Sequence, residues 1–211
     1  MTRDSALDLL ALHAVRITGF VDTPVLADRY GLDPAETKEA LYDAEARGWV
    51  QYTSFAGSGG WSLTESGRAE NERRLAAELA LVGGAEEVRD VYREFLPLNA
   101  VLQRACTDWQ LRPTGGDRLA TNDHSDPAWD ARILYELAGV GHALTPLAGR
   151  LASVLTRFRG YDTRFAAALA RVQDGEGAWV DRTDVDSCHR VWFELHEDLI
   201  ATLGIDRRTE P

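Results

Sequence analysis

His189 and His196 stand seven residues apart in the sequence, with Trp192 and Phe193 between them. On a helix that spacing puts both imidazoles on one face but separates them by about 10.5 Å of rise. One metal ion cannot take both, because a zinc-binding helix carries its ligands at i,i+3 or i,i+4. His124, within Asn122-Asp123-His124-Ser125-Asp126, offers a further imidazole from a polar segment, where Asp126 reads as a helix cap. Cys188 directly precedes His189, but neighbours on a helix point about 100° apart and meet poorly. A cysteine nucleophile would need His124 or His142 brought to it by the fold. Cys106 and Cys188 are distant in sequence and lack a CxxC pattern, as expected of reduced, buried thiols. Neither a metal nor a cofactor is expected from these patterns.

Arg150, Arg157, Arg164 and Arg171 recur every seven residues, with Arg159 nearby. Two antiparallel helices could gather several of them into a patch for a small anionic effector, a carboxylate or a phosphate. Ordinary salt bridging with Asp162, Asp174 and other acids is the alternative. Trp109, Trp129, Trp179 and Trp192, with Tyr92, Tyr135 and Tyr161, can line a ligand pocket or fill a core. If there is a pocket, its expected residues are Trp109, His124, Arg157, His189, Trp192 and His196.

The elements that must position these groups follow from periodicity and caps. Leu7, Leu10, Ala11, Ala14 and Ile17 form an apolar helical stripe within residues 5–18. Thr23-Pro24 and Asp33-Pro34 each read as an N-cap followed by proline in the first turn. They open a helix to about Tyr30 and another through Arg47, with Gly31 as the turn between and Gly48 as the stop. Residues 50–55 and 61–63 are β-type runs joined by AGSGG, a hairpin with a flexible tip. Residues 65–81 continue as a helix, and Gly83-Gly84 marks a linker. Beyond it, helices read at 85–111 (kinked or split by Pro97), 126–144, 145–159, 162–173 and from Asp184 or Asp186 to Leu203. Residues 112–127 read as a long polar loop.

Three helices followed by a hairpin, carried by TPVLADRYGLDPAETKEALYDAEARGWV and GGWSLTESGR, resemble the MarR-like winged-helix regulators over about a third of the chain. The resemblance implies a DNA-binding, dimeric transcription regulator whose third helix enters the groove. DNA contacts would then fall to Lys38, Tyr42, Arg47 at the helix end and Ser58 on the wing. The charge works against phosphate contact. The chain carries −11 overall, and residues 1–75 hold 8 basic against 12 acidic side chains. Glu36, Glu39 and Asp43 share the groove-facing side with Lys38, the only lysine, and residues 56–60 include no arginine or lysine.

The expectation is a mainly α fold: a winged helix-turn-helix with a short hairpin wing and trailing helix over 1–82, then an α-helical bundle for sensing or dimerisation over 85–211. The expected function is transcription regulation as a cytoplasmic homodimer, since no run approaches the ~20 apolar residues of a membrane helix and MTRDSALDLLALHAV lacks a secretory cleavage pattern. Two rivals stand beside it. One is a winged-helix module that docks a protein partner such as an enzyme. The other is an enzyme with its site in the helical domain.

Overall fold

The computed structural model describes residues 3–55 and 57–206; for Phe55 and Ser58 only the backbone is described. The described chain is mainly helical, with one two-stranded antiparallel sheet. No described helix is long and apolar enough to cross a membrane. Two compact units emerge: Met1–Val88 with Ser153–Arg157 and His196–Pro211, and Arg89–Ala152 with Phe158–Leu195.

In the first unit, helices α1 (Leu7–Thr18), α2 (Thr23–Tyr30) and α3 (Pro34–Ala46) lead into strands β1 (Val50–Phe55) and β2 (Ser58–Leu63), then α4 (Glu65–Val82). Asp33 caps α3 as the sequence implies, its carboxylate accepting from Ala35 N and Glu36 N at 2.9 and 3.0 Å. At α2 the cap is Asp22 rather than Thr23: the Asp22 carboxylate reaches Val25 N at 3.1 Å. Thr23 is thereby released to accept a hydrogen bond from Trp61 Nε1 at 3.0 Å. Leu12, Val15, Leu26, Leu41, Val50 and Trp61 pack one buried core. Val21 and Trp61 exchange both backbone hydrogen bonds, so the link between α1 and α2 adds a bridge to the hairpin's edge.

The glycine-rich segment does not serve as the flexible tip expected of it. Gly59 and Gly60 are strand residues, paired with Ser54 and Thr53. A Cβ at Gly60 would stand 2.6 Å from the Phe20 ring, and one at Gly59 would overlap Tyr52. They are small so that aromatic rings can cross the strand. The Leu63-Thr64-x-x-Gly67 pattern has a similar cause. Thr64 caps α4 by accepting from Gly67 N at 3.0 Å, and a Cβ at Gly67 would overlap the Trp49 carbonyl.

The second unit draws on α5 (Ala85–Gln110) from Arg89 onward, α6 (Pro127–Val154) up to Ala152, α7 (Tyr161–Gln173) and the first half of α8 (Cys188–Leu203). Buried residues of α6 step by four and three through Ile133, Leu137, Val140, Leu144, Leu147 and Leu151, the stripe of a helix packed on one face. The split expected at Thr145-Pro146 is absent, since α6 runs unbroken through it. Proline costs a helix interior about 3 kcal/mol, and burial of Leu144, Leu147, Ala148 and Leu151 around it outweighs that. Pro97 likewise lies inside a continuous α5. Residues 111–126 are tied down: Leu111 and Thr121 form a bridge, and Asn122 N donates to Gln110 O at 2.8 Å.

The sequence places residues 85–211 in one domain, whereas the compact units assign 153–157 and 196–211 with the N-terminal elements. The physical reason is ionic: Arg157, Asp198 and Thr202 are buried against His13 and Glu78, which come from α1 and α4.

Candidate functional site

On the first unit, α3 turns Glu36, Lys38, Glu39, Tyr42 and Asp43 outward, all exposed. The Lys38 ammonium lies 5.5 Å from the Tyr42 ring centroid. Tyr42 and Tyr52 meet Trp61 edge-on, at 5.8 and 5.0 Å between centroids. These rings, with Asp22, Pro24, Pro34, Lys38 and Glu45, line a cleft of about 670 Å³. Arg47 is exposed and covers the Trp49 ring at 5.0 Å. Ser58 opens β2, and its side chain lies outside the described residues. Of the expected DNA contacts, the structure thus brings Lys38 and Tyr42 together beside the wing. It also surrounds them with carboxylates.

The expected ligand residues divide between the two units. Arg157 and His196 belong to the first unit, and Arg157 is buried in a network of charges. Its guanidinium pairs with Asp198, bonds Thr202 Oγ1 at 2.7 Å and approaches Glu78 at 3.3 Å. His13 Nε2 meets Asp198 at 3.0 Å, and Nδ1 faces Asn71 Oδ1 at 3.4 Å. Burial by itself would raise the Asp198 carboxyl, but the Arg157 guanidinium and His13 hold it at about 2. Arg150, Arg164 and Arg171 face Glu94, Asp186 with Glu194, and Glu176 respectively. The four arginines at seven-residue spacing are therefore resolved into ion pairs, not an anion patch.

Trp192 and His189 sit on α8 in the second unit. Trp192 is core: it stacks on Phe95 at 4.5 Å, meets Phe165 edge-on, and donates from Nε1 to Asn99 at 3.0 Å. His189 uses its backbone N–H to bond Val180 O at 2.9 Å. Cys106 and Cys188 are buried, and burial pushes both thiols up to about 12, with Asp181 adding to the rise at Cys106. Thiols so protonated are poor nucleophiles.

Trp109 and His124 do meet. Their rings lie 4.6 Å apart at a tilt of 47°, and His124 Nδ1 is 3.0 Å from Asp130 Oδ2. Asn122, buried, ties the group together. Its Nδ2 donates to Asp130 Oδ1 at 3.0 Å and Trp109 O at 3.1 Å, and its Oδ1 accepts from His124 N at 3.1 Å. Among the described residues His124 is the only non-glycine at positive φ, 56°. The cleft it borders measures about 660 Å³ and includes Thr121, Gly177 and Asp181.

Sequence reasoning found His124 and Trp109 but missed Asp130, Asn122 and Asp181. The segment Asn122-Asp123-His124 was visible; the carboxylate six residues on, in the first turn of α6, carried no periodic signal. Among the described residues, no three His, Cys, Asp or Glu side chains converge closely enough to hold a metal ion. Comparison with protein-family models, curated proteins and solved structures finds no match in any of the three.

Proposed function

We propose that the chain is a MarR-like winged-helix transcription regulator, acting in the cytoplasm as a homodimer, with α3 as its reading helix and the second unit as its sensing part. The observation that carries this reading is the order of α1, α2, α3 and hairpin, with Val21 bridged to β2 and the outer face of α3 left uncovered beside the hairpin. This is the arrangement in which a second helix of a helix-turn-helix enters the major groove. Lys38 and Tyr42 supply the donors on that face, and Arg47 reaches phosphate.

Glu36, Glu39 and Asp43 limit how many phosphates the domain can neutralise, so affinity falls only shallowly with salt. The test is a salt titration of the full chain against the DNA upstream of its own coding region. Lys38→Ala should cost about 1–3 kcal/mol, the range of a good base contact. Glu39→Gln should strengthen binding, because it removes repulsion without removing a donor. Absence of binding at low salt in all three proteins would overturn the DNA reading.

One observation favours a second reading. The cleft of Tyr42, Tyr52 and Trp61 is flanked by Asp22 and Glu45, a surface suited to a basic protein segment. Under that reading the same face docks a protein partner.

A further inference from the structure

The cleft beside His124 carries a consistent chemistry of its own. Because the Asp130 carboxylate can only accept, the His124 Nδ1 at 3.0 Å must hold the proton. In the neutral ring Nε2 is then a bare acceptor, and among the described residues it has no hydrogen-bond partner. The His124 side chain is 44% exposed, so this lone pair is open to a ligand. Across the cleft, one Asp181 oxygen takes the Gln110 amide at 2.6 Å, and the other has no partner among the described residues. Thr121 adds a hydroxyl. Trp109 is largely buried, with the His124 ring 4.6 Å away and Gly177 packed so close that a Cβ there would stand 3.1 Å from the indole; only its small accessible part joins the lining.

The lining contains two carboxylates, Asp130 and Asp181, and no arginine or lysine. An anionic ligand would meet two carboxylates with no cation to offset them. A cation with N–H donors would find acceptors in His124 Nε2 and Asp181, and its apolar body would meet Ala178 and the accessible part of Trp109. The volume lies within the ordinary span for a small-molecule site, roughly 300–1,000 Å³. The imidazole is also held against a cost, since a left-handed backbone at a non-glycine residue is unfavourable and persists only where the surroundings enforce it. Asn122, Asp130 and Trp109 enforce it here.

We infer that this cleft binds a small organic amine, with its N–H donors directed to His124 Nε2 and Asp181 and its apolar body against Ala178 and the accessible part of Trp109. The inference is independent of DNA reading and is measured without DNA.

Calorimetry on the full chain with phenethylamine and with 3-phenylpropionate, which share a phenylethyl body and are opposite in charge, tests it. One amine per chain and no acid is the expected result. Asp181→Asn and His124→Gln should each weaken the amine about tenfold or more, as expected for loss of an acceptor to a charged donor, with thermal unfolding little changed. A long-range ¹H–¹⁵N spectrum of the imidazoles should show one Nε2 signal, absent in His124→Gln, that moves on adding amine. Equal binding of the acid would overturn the inference. So would amine binding undiminished in both variants, or millimolar phenethylamine giving neither heat nor a shifted Nε2.

Discussion

Two histidine–aspartate pairs, one in each unit, share a separation of 3.0 Å and little else. His13 and Asp198 have fully buried side chains, whereas His124 and Asp130 are 44% and 18% exposed. At His13 both ring nitrogens face polar partners, Asn71 and Asp198, and Arg157 crosses the same carboxylate. At His124 only Nδ1 is engaged. The difference teaches that distance alone does not separate a structural pair from a binding one. Burial with both ring nitrogens engaged makes a lock; a fixed ring with one nitrogen left over makes a receptor.

Asp198→Asn separates the two pairs most sharply. Removing one partner of a buried pair strands the other charges, at about 3–5 kcal/mol, and Arg157 has no solvent to turn to. Asp130→Asn, at a partly solvated pair, should cost less than about 1 kcal/mol. Denaturant unfolding of both variants measures this, and equal costs would dissolve the distinction. Acid supplies the next effect. The Asp198 carboxyl is held at about 2 against an ordinary 3.8, so it stabilises the fold above pH ~4. As pH falls the unfolded chain takes its proton first, and the contribution, roughly 2 kcal/mol, should drain away between about pH 4 and about pH 2. Unfolding free energies that stay flat across that window would mean the carboxylate is not held by Arg157. The smallest effect belongs to His124→Gly. Relief of the left-handed backbone offsets the lost contacts, so stability should shift by less than about 1 kcal/mol while amine binding disappears. A larger loss would make His124 a structural residue like His13.

What the sequence made legible was local. Asp33-Pro34 and Asp126-Pro127 start helices because a carboxylate caps nearby N–H groups whatever the rest of the chain does. Thr145-Pro146 carries the same kind of signal, a capping residue before proline, and starts nothing, because packing on both sides of it outweighs a missing hydrogen bond. Gly59 and Gly60 read as flexibility, while their cause is the bulk of Tyr52 and Phe20 on neighbouring segments. The charged interior was illegible. His13 and Asp198 stand 185 positions apart, and nothing in either neighbourhood marks them as partners. Half of the His124 site was readable, the half that is contiguous in sequence.

The wide spacing of that buried pair also orders events during synthesis. A ribosome delivers α1 to α4 long before Asp198 and Thr202, yet the first unit needs both to neutralise and bond Arg157. The helices and hairpin of residues 7–82 therefore emerge with His13 and Glu78 still lacking the groups that will enclose them. Completion of this unit waits for α8, and the second unit, whose residues 89–152 and 158–195 all precede His196, has the first opportunity to fold. Expression of the N-terminal segment alone would preserve that early condition indefinitely, with His13 lacking Asp198 and Glu78 lacking Arg157.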